Sequence, residues 1–352
     1  MLYLKNNYLD LSRSNLNKSV DMKLVSYKTD DQEHLGVFVN GHIYNLNSCD
    51  KLLPDDMIGF LQGGDVLMER AKKIDAQIKA GEIEPKEEVF FELLAPVPHP
   101  TSVRDAYAFR QHVEAARRNR KVDMIAEFDQ YPVFYFTNHS AVQGAGEIEC
   151  MPDHFEKLDF ELEIAAVIGT KGRNIKAEEA DQYIAGFMIM NDMSARTLQM
   201  EEMLLNLGPA KGKDFSTVIG PWLVTPDELQ QYKTAPKDGH VGDVYSLEMS
   251  CLVNGVEVSH GNTSDMHWTF AEIIERCAYG VDILPGDVIG SGTVGTGCFL
   301  ELNGTGLFND ANYNPQWLKD GDIVEMKITG LGHLNNTIRK ADTEFSILAL
   351  KK

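Results

Sequence analysis

Residues 158–169 read LDFELEIAAVIG. Asp159, Glu161 and Glu163 alternate with Phe160, Leu162 and Ile164. In a β-strand, successive side chains point to opposite faces. One face is then aromatic and aliphatic. The other carries three carboxylates, and the run continues straight into the apolar AAVIG. Two readings follow. In a one-sided antiparallel sheet the acids face water and the apolar residues cover the core. Alternatively, the acids point into a cleft and share a hard cation. Mg²⁺ or Ca²⁺, with Mn²⁺ a further candidate, takes oxygen ligands and turns carboxylate repulsion into binding.

Outward from this stretch, strands are expected at YPVFYF (131–136), YIAGFMIMND (183–192) and STVIGPWLV (216–224). Further strands are expected at YSLEMSCLVNGVEVS, DVIGSGTVG, CFLELNG, DIVEMKITG and TEFSILAL. Asn40-Gly41 and Asn254-Gly255, each between apolar runs, signal hairpins. Helices are expected over 55–80, with a break at Gly63-Gly64, over 102–120, as a helix or a loop followed by a helix with Ser102 a candidate cap, and over 265–279. Helices and strands do not alternate regularly. The fold class is therefore α+β, mostly β and mostly antiparallel, rather than a doubly wound sheet. The proline-bearing FELLAPVPHPTSV reads as an extended linker. It divides a small β-rich N-terminal domain, 22–95, from a catalytic domain, 96–352; residues 1–21 read as a disordered extension, or Met22 as the natural start.

The chain has 352 residues, 43% hydrophobic and 24% charged, with a formal net charge of −20. This is a globular composition, and the negative charge argues against nucleic acid and anionic membranes as partners. No apolar run is long enough for a membrane span. Five scattered cysteines without a CxxC spacing read as reduced thiols, and the start lacks a signal pattern, so a cytoplasmic location is expected.

Further polar residues stand out. Asp192 follows the apolar run YIAGFMIM, with Arg196 and Gln199 at i+4 and i+7; on a helix the three share a face. Asp105 and His112 are likewise seven apart. Lys213 lies in a loop before a strand, without the spacing of a phosphate loop. GSGTVGTG (290–297) contains a G-x-G-x-x-G pattern, but before an expected strand rather than a helix, so a dinucleotide site is not expected.

Together, RDAYAFRQH (104–112), FELE (160–163), MNDMSARTLQ (190–199), GKDFSTVIGPW (212–222) and GSGTVGTGCFLEL (290–302) resemble the fumarylacetoacetate hydrolase family. The resemblance implies a mixed β-roll or sandwich of that family's C-terminal type and a homodimer. It implies Asp105, Glu161, Glu163 and Asp192 as metal ligands, with Asp159 left behind them or facing solvent. It also implies His112 as catalytic base, Glu301 as its orienting partner, and Lys213, Arg196 and Gln199 as stabilisers of developing charge. Tyr107, Tyr135 and Thr293 match positions that grip substrate carboxylates. Lys121 stands where the family has an arginine, and Met203 where it has a tyrosine.

The activity implied is metal-dependent hydrolysis of a C–C bond in a small 1,3-diketo acid, foremost fumarylacetoacetate to fumarate and acetoacetate in tyrosine catabolism. The alternatives are an acylpyruvase, an oxaloacetate-type decarboxylase or a keto-acid dehydratase/isomerase on the same fold. A non-catalytic cation-binding protein is the more distant reading.

Overall fold

The structure is a computed structural model that describes residues 22–352. The extension expected over 1–21 lies outside the described residues. The main strands are β1 (Lys23–Thr29), β2 (Gln32–Val39), β3 (His42–Asn45), β4 (Ser102–Ala106), β5 (Phe134–Thr137), β6 (Gly146–Cys150) and β7 (Leu162–Ile168). They continue as β8 (Ile184–Asp192), β9 (Thr217–Val224), β10 (Glu248–Val253), β11 (Val256–Asn262), β12 (Asp287–Gly290), β13 (Ile323–Ile328) and β14 (Gly332–Lys340). The main helices are α1 (Met57–Gln62), α2 (Gly64–Lys79), α3 (Arg110–Asn119), α4 (Arg196–Leu204), α5 (Phe270–Ala278) and α6 (Phe299–Asn309).

The large sheet runs β3-β2-β1-β9-β8-β7-β12-β4-β5, with three two-residue strands at its margins. Along this path only the β12–β4 pair is parallel. A second sheet runs β11-β10-β13-β14-β6. The fold is thus mostly β with packed sheets and added helices, as expected.

Strand β7 is buried along its whole length. Its period of two still operates, but it divides two cores rather than core and water. Leu162, Ile164, Ala166 and Ile168 join a cluster with Met249 and Cys251 of β10, Val324 and Met326 of β13, and helix α5. Ala165 and Val167 join Met57, Phe60 and Leu61 of α1 and Ala71 and Ile74 of α2. The reading in which the acidic face looks at water is therefore overturned: Asp159, Glu161 and Glu163 are all buried. The 22–95 segment contributes to the same large sheet, because β1 pairs with β9.

Both hairpin turns form at Asn40-Gly41 and Asn254-Gly255, each with positive φ at both residues. The helix expected over 55–80 breaks at Gly63, giving α1 and α2. Three expectations need correction. Residues 102–106 are strand β4 rather than helix, so Ser102 begins a strand and Asp105 and His112 do not share a helical face. CFLELNG, expected as a strand, begins helix α6. Gly304 and Gly306 weaken its intrinsic propensity, but its first amides find acceptors. Asp159 takes the N–H groups of Phe299 and Leu300, and Cys298 Sγ that of Glu301. TEFSILAL forms no strand either; the N–H groups of Ile347 and Leu348 donate to Asp153 instead of to a neighbouring strand.

Candidate active site

The large sheet brings the four expected ligands to one place. Asp105 lies on β4, Glu163 on β7 and Asp192 at the last position of β8, while Glu161 sits in the link just before β7. β12 separates β4 from β7, and in register Gly290 faces Asp105 on one side and Ala165 on the other. A Cβ at Gly290 would lie 2.6 Å from Asp105 Oδ1 and 2.9 Å from Glu163 Oε2. Only glycine lets the two carboxylates meet across that strand. One oxygen from each of Asp105, Glu161, Glu163 and Asp192 lies within 4.8 Å of the others.

Burial raises the pKa of Asp105 to about 7, with the Asp192 charge adding to it. Burial and the Asp105 charge push Glu163 far above the usual carboxylate range. Asp192 is also raised by burial, against the pull of Lys213. Glu161 goes the other way: burial would raise it, but Lys213 and Arg196 outweigh burial and hold it at about 2. Lys213 Nζ lies 2.6 Å from both Glu161 Oε2 and Asp192 Oδ2. It is held protonated by those two acids although burial opposes its charge.

The cluster fits a hard divalent cation. Glu163 Oε1 and Asp192 Oδ1 are buried without a hydrogen-bond partner among the described residues. Such oxygens are costly unless a ligand takes them. An all-carboxylate donor set suits Mg²⁺, Ca²⁺ or Mn²⁺.

Helix α3 carries the second element. His112 Nδ1 lies 2.6 Å from Glu301 Oε2, and both residues are buried. Glu301 occupies the first turn of α6. An imidazole that donates from Nδ1 leaves Nε2 as the proton acceptor. The pair lies within electrostatic reach of Glu161. Tyr107 sits edge-on to His112 at 5.9 Å between ring centroids, and burial raises its phenol to about 12.

Other expected residues fall into place with altered surroundings. Arg196 spends its guanidinium on protein acceptors: Nε on Asp159, Nη2 on Glu161 and Nη1 on Gln199. Asp192 ends a strand rather than opening a helix, so it does not share a helical face with Arg196 and Gln199, and of the three only those two are hydrogen-bonded to each other. The Tyr135 hydroxyl donates to Asp192 Oδ2. Thr293 is buried next to Gly292. Lys121 is exposed in the turn after α3 and joins none of these contacts. Asp159 does not face solvent; it is fully buried behind Glu161.

Sequence reasoning did not anticipate the role of Gly292. Its N–H donates to both Asp105 and Glu163. The glycine run does lead from a strand into a helix, contrary to expectation. Yet the amide that would meet a phosphate in a dinucleotide site here meets two carboxylates.

The carboxylate cluster and the buried histidine–glutamate pair together make an enzyme-like site. Residues 101–339 match the model of the fumarylacetoacetate (FAA) hydrolase C-terminal family, and the chain belongs to that family. Over 331 residues it is 32% identical to the oxaloacetate tautomerase FAHD2A, mitochondrial, of Homo sapiens, covering 91% of this chain and 92% of that protein. It is 35% identical over 199 residues to a fumarylacetoacetase of Oryza sativa subsp. japonica, covering 48% and 46%. Among solved structures it resembles a fumarylacetoacetate hydrolase from Exiguobacterium antarcticum. The TM-score is 0.62 at 24% identity, over 91% of this chain and 100% of that one. No helix among the described residues is long and apolar enough to cross a membrane.

Proposed function

We propose that this chain is a divalent-cation-dependent enzyme that interconverts the keto and enol forms of an oxaloacetate-type 2-oxo dicarboxylate. The reading replaces fumarylacetoacetate cleavage as the leading one. The observation that carries it is the buried His112–Glu301 pair beside the four carboxylates. The near full-length likeness to an oxaloacetate tautomerase, against about half of the chain for a fumarylacetoacetase, supports this substrate class.

Asp105, Glu161, Glu163 and Asp192 would hold the cation. When bound, a divalent cation polarises the substrate's 2-oxo and carboxylate oxygens as a Lewis acid. His112 carries the proton. In the enol-to-keto direction a proton leaves the C2 hydroxyl and another is delivered to C3, so the substrate gains and loses no atom. Nε2 of His112 is the atom that accepts and returns the proton, while Glu301 fixes the tautomer and steadies the imidazolium. Lys213 adds positive charge near the oxygen on which negative charge develops. Arg196 acts through Glu161 and Gln199 rather than on the substrate. Mg²⁺ and Mn²⁺ are the first cations to test.

Hydrolysis of a 1,3-diketo acid is the second reading, favoured by the same histidine–glutamate pair, which could equally activate a water. The test is to incubate the purified chain with Mg²⁺ or Mn²⁺ and enol-oxaloacetate, fumarylacetoacetate or acetylpyruvate. Accelerated loss of the enol absorbance without fragmentation is expected. Release of two acids from a diketo acid, with no effect on the enol, would overturn the tautomerase reading.

A further inference from the structure

Asp159 is the one acid of the 159–163 row that the carboxylate cluster does not use. It is 0% exposed. Its Oδ1 accepts the N–H of Phe160 at 3.0 Å and of Phe299 at 2.7 Å. Its Oδ2 accepts the N–H of Leu300 at 2.9 Å and Nε of Arg196 at 2.8 Å. Phe299 and Leu300 are the first two residues of α6, and Glu301 is the third. A single carboxylate thus holds the start of the helix that bears the partner of His112. The same carboxylate holds the guanidinium that bonds Glu161 and Gln199.

These contacts form one continuous chain: His112, Glu301, the first turn of α6, Asp159, Arg196, Glu161. An anion between a helix N-terminus and a guanidinium meets positive charge on both sides, which makes its complete burial tolerable. The arrangement also has an electrostatic consequence at the cluster. Arg196 Nη2 lies 2.8 Å from Glu161 Oε1, where its charge competes with any cation for that carboxylate. Asp159 shares the guanidinium and so weakens the competition.

We propose that Asp159 is a positioning residue that ties the His112–Glu301 pair to the carboxylate cluster and sets the cluster's cation affinity by neutralising Arg196. The proposal rests on the reading that the cluster holds a cation. A residue that only capped α6 would affect stability and nothing else.

Asp159→Asn keeps the shape and removes the charge. Calorimetric titration of Mn²⁺ into the stripped full-length chain reads cation affinity without substrate. Loss of an outer partner of a ligand typically costs about 10- to 100-fold in affinity, and a weakening of about 10-fold or more is expected. The keto–enol assay should show a fall in kcat larger than any change in KM. Combining D159N with Glu301→Gln should cost little beyond E301Q alone, since both act on one pair. Cation affinity within about twofold of wild type, with only a lowered Tm, would overturn the proposal, as would fully additive losses in kcat. Should D159N not fold, Arg196→Gln carries the test. Removing the guanidinium removes the charge that competes for Glu161, so tighter Mn²⁺ binding is expected, and unchanged or weaker binding overturns the proposal. A wild-type chain that binds no Mn²⁺ overturns the cation reading itself. Equal binding by wild type and variants overturns only the assignment of Asp159.

Discussion

His112 meets Glu301 across 189 residues of sequence, Nδ1 to Oε2 at 2.6 Å, with both side chains buried. The contact joins the first turn of α6 to α3 and occupies Nδ1, leaving Nε2 as the nitrogen that can accept a proton. Positioned general acid–base groups contribute roughly 10²- to 10⁴-fold in rate. His112→Ala should therefore lower kcat by about that factor. Glu301→Gln should lower it less, because the amide still accepts the Nδ1 proton but no longer balances the imidazolium. Neither should abolish cation binding. Steady-state kinetics beside a Mn²⁺ titration checks both; undiminished turnover of the alanine variant would show that His112 does not carry the proton, and Mn²⁺ binding without any turnover by the wild type would favour a non-catalytic cation-binding protein.

A bound cation should also appear as stability. A ligand that binds only the folded state stabilises it by about 2.7 kcal/mol at a concentration one hundred times its Kd. Millimolar Mg²⁺ or Mn²⁺ should raise the Tm of the stripped chain, and EDTA should reverse the rise. Glu161→Gln combined with Glu163→Gln should abolish the shift and cation-dependent turnover while leaving the fold intact. Differential scanning fluorimetry with and without cation measures this, and a shift that survives the double substitution would place the cation elsewhere.

Gly290 makes the approach of Asp105 and Glu163 possible. An alanine there would bring its Cβ within 2.6 Å of Asp105 Oδ1 and 2.9 Å of the Met190 sulfur. Carboxylate and sulfur must both move. Gly290→Ala should weaken cation binding by about an order of magnitude or more, in keeping with the sensitivity of such sites to their supports. It should also cost about 1–3 kcal/mol, the usual range for overpacking. Denaturant unfolding of the cation-free chain separates the two effects.

Much of the carboxylate cluster was legible in the sequence, because Glu163 and Asp192 occupy strands whose period is rigid and Glu161 directly precedes one. Glu161 and Glu163 fall on one side for the same reason that Ala165 and Val167 do. What could not be read was the partner of that side. Period two says which residues share a face and not whether water or a second core covers it, so the acids could be read as solvated. The helix at 299–309 was hidden for a related reason. Its glycines speak against a helix locally, and its first amides are satisfied by Asp159, 140 residues away from Phe299. Tertiary capping of this kind leaves no local signal. The same contact explains why Asp159 was left without a role: besides Arg196, its distant partners are the backbone amides of Phe299 and Leu300, which no residue type announces.

Stability should depend on pH through His154, which lies outside the cluster. Burial, with the Lys211 charge, lowers its pKa to about 4 from the ordinary histidine value of 6.5. The ring packs on Phe215 at 4.1 Å between centroids, and Nδ1 accepts the Met151 N–H at 3.2 Å. The neutral form is thus the one the fold accommodates. A histidine with a depressed folded pKa takes up its proton more readily when unfolded, so its contribution is fully present above about pH 6.5 and is lost as pH falls toward 4. At 1.36 kcal/mol per pKa unit the loss is on the order of 3 kcal/mol. Replacing His154 by Phe keeps an aromatic ring against Phe215 and removes the titration. The variant should be less stable than wild type at pH 8 by about 1 kcal/mol, for the orphaned Met151 N–H. Its unfolding free energy should then fall less steeply than that of wild type between pH 7 and 5. Urea unfolding at several pH values, in the absence of divalent cations, measures the two slopes; equal slopes would show that His154 does not contribute to acid sensitivity.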